Sequence, residues 1–258
     1  MAAAWPTWPT FKSSPEISVM PSETSPVILV TGASRGIGRA VTKEIARRGM
    51  HTIALARTQG ALEALDDEIS ADGGAVTLIT ADLTDREMMA RLPEALTARF
   101  GRLDGFVANA GLLGDLTPVS DIQLKDWDRT MDVNVTANVQ LLSLLDPLLR
   151  AAPAPRVVGI TTGRVRKLAP FWATYSATKA AFENLLLTYA QENEETPLRV
   201  NLVNPGPIRT GMREKAMPGE DPETLPHPDE LAPLIADLLS PEETRNGATV
   251  DFREWRTA

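Results

Sequence analysis

Val27-Ile28-Leu29-Val30-Thr31-Gly32-Ala33-Ser34-Arg35-Gly36-Ile37-Gly38 opens the patterned part of the chain. A short apolar run enters a glycine-rich turn. From Gly36 to Arg48 the apolar residues then recur at helical spacing. Strand, turn and helix in that order form the opening unit of an α/β fold. The glycines permit a tight turn and a close approach of the backbone. The helix N-terminus behind them offers unpaired N–H groups and the positive end of a dipole, which together suit a pyrophosphate. The spacing is TGxxxGxG rather than GxGxxG, and no GK[ST] follows, so the P-loop pattern fails. A dinucleotide is the ligand that fits this context; a purely structural turn is the alternative.

Working outward, strands are expected at Val27–Thr31, His51–Ala56, Ala75–Thr80, Leu103–Ala108, Arg156–Thr161, Leu198–Val203 and Ala248–Phe252. Helical patterns lie between them at Leu62–Ile69, Asp85–Phe100, Asp126–Leu149, Ala173–Glu192 and Asp229–Leu239. This alternation predicts a doubly wound parallel sheet of about seven strands with helices on both faces. The length of 258 residues fits one such domain over residues 27–258. Residues 1–26 differ, with Pro6, Pro9, Pro15, Pro21 and Pro26 and no periodicity, and read as a disordered arm. Trp5, Trp8 and Phe11 are its only large apolar groups apart from methionine and aliphatics.

The net charge of −8 argues against a nucleic-acid partner. No cysteine is present, which excludes disulfides, thiolate zinc sites and a Cys nucleophile. His51 and His227 are the only histidines, too few for a poly-His metal site, so no metal is expected. No apolar run is long enough to span a membrane, and no signal peptide is legible, so a cytoplasmic location is expected.

The second strand ends Ala54-Leu55-Ala56-Arg57. An NAD-selective domain holds the ribose 2′-hydroxyl with a carboxylate there. Here Arg57 follows Ala56, and Arg35 lies inside the glycine turn. Two guanidinium groups with no competing carboxylate suit a 2′-phosphate, so NADP(H) is expected over NAD(H). Further on, Tyr175 and Lys179 stand at i and i+4 of one helix. An ammonium beside a phenol would lower its pKa and tune it for proton exchange with a carbonyl or alcohol oxygen.

With TGASRGIG and YxxxK together, the sequence resembles the short-chain dehydrogenase/reductase family from Val27 to Phe252. The resemblance implies a Rossmann fold, an NADP(H)-dependent oxidoreductase and hydride transfer between nicotinamide and a carbonyl or alcohol substrate. It places Thr31, Gly32, Ser34, Arg35, Gly36, Ile37 and Gly38 in the cofactor turn. Asp82 and Leu83 match the adenine contact, and Asn109, Ala110 and Gly111 match the segment bordering the cofactor. Pro205, Gly206, Ile208 and Thr210 match the segment over the nicotinamide. Tyr175 matches the general acid/base and Lys179 its partner, which also contacts the nicotinamide ribose. Asn134 matches the residue that holds a proton-relay water. Thr162 stands thirteen residues before Tyr175, where the family normally has Ser; it keeps a hydroxyl to bond the substrate carbonyl. Asp251-Phe252-Arg253 replaces the usual Asp-Gly-Gly. Some stretches look close to a bacterial subgroup related to 3-oxoacyl-carrier-protein reductases.

The substrate loops are Leu112–Thr117, Gly163–Thr174 and Pro205–Pro228. They hold an apolar set and six basic residues, Arg164, Arg166, Lys167, Arg209, Arg213 and Lys215. These would steer an anionic substrate such as a carrier or coenzyme A thioester, or are simply solvated. The Pro- and Gly-bearing third loop suits a mobile lid. His227 reads as a helix-start surface residue and His51 as a strand-edge one. A redox sensor or scaffold that binds NADP(H) with little turnover is the alternative function, motivated by Thr162. A sugar-nucleotide epimerase or dehydratase fits less well, because its TGxxGxxG turn and longer C-terminal region are missing. The family usually dimerises through helices corresponding to Asp126–Leu149 and Ala173–Glu192, so a homodimer or homotetramer is expected.

Overall fold

A computed structural model describes residues 25–257. In chain order the elements are β1 (Val27–Thr31), α1 (Gly36–Arg47), β2 (His51–Ala56), α2 (Gln59–Ala71), β3 (Val76–Thr80), α3 (Arg86–Phe100) and β4 (Gly105–Ala108). Then follow α4 (Leu124–Met131), α5 (Ala137–Arg150), β5 (Arg156–Ile160), α6 (Ala173–Glu192), β6 (Arg199–Asn204), α7 (Gly211–Ala216), α8 (Pro228–Asp237), β7 (Thr249–Asp251) and α9 (Phe252–Thr257). The seven strands pair in the order β3-β2-β1-β4-β5-β6-β7, parallel throughout. The order reverses between β1 and β4. In an open parallel sheet that reversal leaves a crevice beyond the strands' carboxyl ends, where ligands bind.

Strands β1 to β6 are covered on both faces, so their apolar residues alternate between two cores. Val27 and Leu29 face a core with Leu92, Leu141 and Phe182. Ile28 and Val30 face the other, with Val41, Leu65 and Leu234. Gly159 of β5 brings α6 close. A Cβ there would stand 2.2 Å from Leu186 Cδ1, so a larger residue would push the helix off the sheet. That close seat sets the depth of Tyr175 and Lys179, which α6 carries.

Several boundaries depart from the sequence reading. The long helix begins at Leu124, not Asp126, and a π-turn over Asp132–Thr136 interrupts it. Apolar periodicity does not register one extra backbone residue in a helix, and such bulges gather at functional sites. The last strand is only Thr249–Asp251, and α7 and α9 were not foreseen because helices of six residues are too short to show a period. The expected arm lies outside the described residues except for Ser25 and Pro26. Ser25 Oγ donates to Gly49 O at 2.9 Å, and Pro26 O accepts from His51 N at 2.8 Å. His51 opens β2, at the strand edge as expected, and is buried, with Thr77 and Phe100 against the ring. His227 caps α8, as its place at a helix start predicts. No helix of the described residues is long and apolar enough to cross a membrane.

Candidate active site

The crevice at the strand-order reversal is one cavity of about 1230 Å³. That exceeds the roughly 300–1,000 Å³ of a site for one drug-sized ligand, so it has room for two molecules. Of the sequence-predicted site residues, all but three line it. The exceptions are Thr31, Gly38 and Asn134, which stand just behind its wall.

Thr31 and Asn109 join the two strands that flank the reversal. Asn109 Nδ2 donates to Thr31 O at 2.9 Å, and the N–H groups of Asn109 and Ala110 both reach Thr31 Oγ1 at 3.2 Å. Gly38 sits where a Cβ would collide with Gly32 O at 2.3 Å. The first turn of α1 therefore stacks directly on the glycine turn. Arg35 at the helix entry makes no side-chain cap, and no acidic residue stands in the first turn. The leading N–H groups are thus left for an anion. This cradle of small residues and uncapped donors fits a pyrophosphate.

At the β2 end the structure corrects one expectation. Arg57 is not free of carboxylates: its Nη1 lies 3.6 Å from Asp82 Oδ2. Pairing of β2 with β3 brings the two chain ends together, which linear spacing does not reveal. Both side chains are about half exposed, so the bridge is weak. Partial burial pushes the Asp82 carboxyl up, but the Thr84 N–H and hydroxyl, with Arg57, outweigh it and hold the group below its ordinary value.

The opposite end holds the titratable pair. The Thr162 side chain is close enough to Tyr175 to favour its phenolate. Thr162 Oγ1 also accepts from Arg164 N at 3.2 Å, which fixes the hydroxyl at the start of a 3₁₀ turn over Gly163–Val165. Lys179 Nζ donates to Ile160 O at 2.7 Å. Burial pushes the phenol up to about 12, with the Thr162 hydroxyl opposing. Burial likewise lowers the ammonium to about 8. The phenol thus shifts in the opposite direction from the one the YxxxK spacing suggests. Lys179 is committed to the strand carbonyl, and desolvation dominates both groups.

Asn134 sits in the π-turn, 1% exposed. Its Nδ2 donates to Leu112 O and Thr178 Oγ1, both at 2.9 Å, and its Oδ1 accepts from Leu112 N at 2.7 Å. It ties the loop after β4 to α6. A Cβ on Gly111 would stand 3.4 Å from Asn134 Oδ1 and 3.6 Å from Lys179 Nζ, so the three residues meet.

Three features escaped the sequence reading. Glu183 is buried, accepts from Thr161 Oγ1 at 2.9 Å and pairs with Arg166. Its position eight residues past Tyr175, on the face shared with Lys179, was the available signal. Arg253 packs against Gly206, and Asp251 accepts from Asn204 Nδ2 at 2.7 Å. Phe171 holds φ at 74° in the loop before α6, which sequence does not disclose. The Pro205–Pro228 segment is cross-tied, with Arg209 Nη1 to Glu223 at 2.8 Å and Arg213 Nη2 to Glu220 at 2.6 Å. Among the described residues no cluster of three or more His, Asp or Glu is placed to hold a metal.

Fold and crevice define an α/β protein of Rossmann type. The family model for short chain dehydrogenases matches residues 26–221, and the chain belongs to that family. The uncharacterized oxidoreductase YciK of Escherichia coli K12 is 36% identical over 237 residues, covering 89% of this chain and 92% of YciK. A 3-oxoacyl-acyl-carrier-protein reductase of Synechocystis is 33% identical, covering 76% of this chain and 79% of its own length. A short chain dehydrogenase of Shigella flexneri 2a, solved with NADP, superposes with a TM-score of 0.85 at 35% identity, covering 88% of this chain and 97% of its own. A second, from Escherichia coli CFT073 and solved with NADPH, gives a TM-score of 0.85 at 35% identity, covering 90% of this chain and all of its own.

Proposed function

We propose that the protein is an NADP(H)-dependent oxidoreductase acting on a carbonyl/alcohol pair, with Tyr175 as the general acid/base. The observation that carries this reading is the convergence of Tyr175, Thr162 and Lys179 at one end of a cleft whose other end is the glycine turn. The NADP- and NADPH-bound relatives support the choice of cofactor.

The nicotinamide, when bound, supplies or accepts the hydride. The residues of this chain do the rest. The α1 N-terminus and glycine turn hold the pyrophosphate, and Arg35 and Arg57 receive the 2′-phosphate. Thr162 Oγ1 donates to the substrate oxygen and orients it. Tyr175 then gives its proton to that oxygen as the carbonyl carbon is reduced. With the phenol pushed up to about 12, it is fully protonated at neutral pH. That state serves carbonyl reduction; alcohol oxidation needs phenolate and so gains from alkaline pH. Asn134 fixes the wall behind Gly111 and Lys179, while Lys179 provides positive charge near the phenol as a proton leaves. A Thr162 hydroxyl beside Tyr175 in the cavity wall favours an enzyme over a sensor, because it keeps the role of the usual Ser. Exposed Leu124 and Val139 on α4 and α5 support self-association through those helices.

The decisive test follows NADPH and NADH oxidation by absorbance across ketones, aldehydes, diketones, quinones and 3-oxoacyl thioesters. Turnover with NADPH above NADH is expected. Tyr175→Phe should lower it by about 10²–10⁴-fold, the usual worth of a positioned acid. A rate unaffected by Tyr175→Phe would sink the assignment.

A further inference from the structure

Six basic residues crowd the loops beyond β5 and β6, and the structure sorts them. Arg166 is paired with Glu183, Arg209 with Glu223, Arg213 with Glu220, and Lys215 with Asp115. Arg164 and Lys167 have no carboxylate partner among the described residues, and both line the cavity. Glu183 draws Arg166 toward α6, and Arg164 is left facing the cleft.

Arg164 is nevertheless held in place. Its guanidinium lies 4.6 Å over the Trp172 ring. Trp172 in turn meets Tyr175 edge-on, with ring centroids 5.9 Å apart. The cation therefore stands one indole away from the phenol. Stacking occupies the face of a guanidinium and leaves its in-plane N–H groups free to grip a planar anion. Phe171, next to Trp172, holds φ at 74°. For a bulky residue that conformation is strained, and such strain collects at ligand-binding segments. Across the β6 loop, Arg253 packs against Gly206 and adds a second guanidinium to the same end. The carboxylates nearby are Asp251, which is engaged by Asn204 Nδ2 and Arg253 N, and the exposed Glu254.

Taking the oxidoreductase reading as its basis, we propose that Arg164, with Lys167 three residues on, is a recognition site for an oxyanion carried by the substrate. The substrate class is then an oxo acid or a phosphorylated ketone whose charge lies a few bonds from the reacting carbonyl. A neutral carbonyl compound is a poor substrate, and so is a thioester whose phosphate is many bonds away.

The test uses the full chain with saturating NADPH. Its probes are 2-, 3- and 4-oxo acids of four to ten carbons, their methyl esters, and phosphorylated hydroxyketones with their neutral parents. Steady-state kinetics gives kcat and KM. Calorimetry measures binding of the same compounds to protein saturated with NADP⁺. The best acid or phosphate should exceed its neutral counterpart by about 10- to 100-fold in kcat/KM, the size of one bidentate charge-assisted contact. Arg164→Gln should bring that ratio close to one, mainly through KM, while Arg164→Lys keeps part of it. Thermal melts check that the variants are folded. The preferred partner, acid or phosphate, names the anion. A series in which no anion outperforms its neutral partner, in turnover or in binding, overturns the proposal. So does an anion preference that survives Arg164→Gln intact. Ester turnover that depends on Tyr175 would still uphold the oxidoreductase reading in either case. Normal NADP⁺ binding with no NADPH oxidation of any probe would instead remove that reading.

Discussion

Lys179 Nζ donates to the carbonyl of Ile160 at 2.7 Å, so the last residue of β5 fixes the ammonium that stands one helical turn from Tyr175. The lysine is 4% exposed, and burial brings it down to about 8. An unfolded lysine titrates near 10.5. The unfolded chain therefore binds more protons than the native one between those values, and stability from this group rises with pH there. The wild type should gain about 2 kcal/mol from Lys179 between pH 7.5 and 9.5. Lys179→Met should lack that gain and lose most activity. Urea unfolding at the two pH values, wild type beside variant, measures the difference; equal slopes would contradict the buried, weakened ammonium.

The Arg166–Glu183 pair is lopsided. The glutamate side chain is 5% exposed and the arginine 60%. Removing the arginine strands a charge in the interior, whereas removing the charge leaves only a solvated cation. Arg166→Met should therefore cost about 1–3 kcal/mol, and Glu183→Gln distinctly less, since Gln still accepts from Thr161 Oγ1. Denaturant midpoints of the two variants decide it. If Glu183→Gln is the more damaging, the pair is not working as a charge clamp.

His51 provides an acid-side counterpart. Burial and the charge of Arg99 lower it to about 4, against 6.5 when unfolded. The neutral ring is tolerated and the charged one is not. Its contribution is fully present above pH 6.5 and is lost as pH falls toward 4, up to about 3 kcal/mol. His51→Gln should flatten that part of the acid profile, as followed by circular dichroism from pH 7 to 4.

Cofactor choice should rest unequally on the two arginines. Arg57 is shared with Asp82 at 3.6 Å, while Arg35 has no carboxylate partner among the described residues. Arg35→Gln is expected to reduce the NADPH-to-NADH ratio in kcat/KM by about tenfold or more, consistent with one charged contact. Arg57→Gln should do less. The reverse ranking would show that Asp82 releases Arg57 when the phosphate binds.

Most of the frame was readable in the chain. The apolar run Val27–Val30 entering the glycine turn, the strand and helix alternation, and the YxxxK step on α6 were all local patterns, and the parallel sheet follows from them. What escaped were matters of packing. The π-turn at Asn134 adds one residue to a helix whose apolar face is otherwise regular. The Arg57–Asp82 contact depends on β2 lying beside β3. The phenol moved against expectation because i,i+4 spacing fixes which helix face two side chains share, not where their polar ends go or how dry they are.

By itself the sequence determined the parallel α/β frame, the glycine turn and the helix that carries Tyr175 and Lys179, because these rest on hydrogen-bond patterns and periodicities short enough to be written in neighbouring residues. Tertiary structure alone decided the partner of each charge. It buried Glu183 against Thr161 and Arg166, tied Lys179 to Ile160, and left Arg164 on Trp172 facing the cleft. Charges act through distance and local dielectric, and both are set only when strands far apart in the chain come side by side.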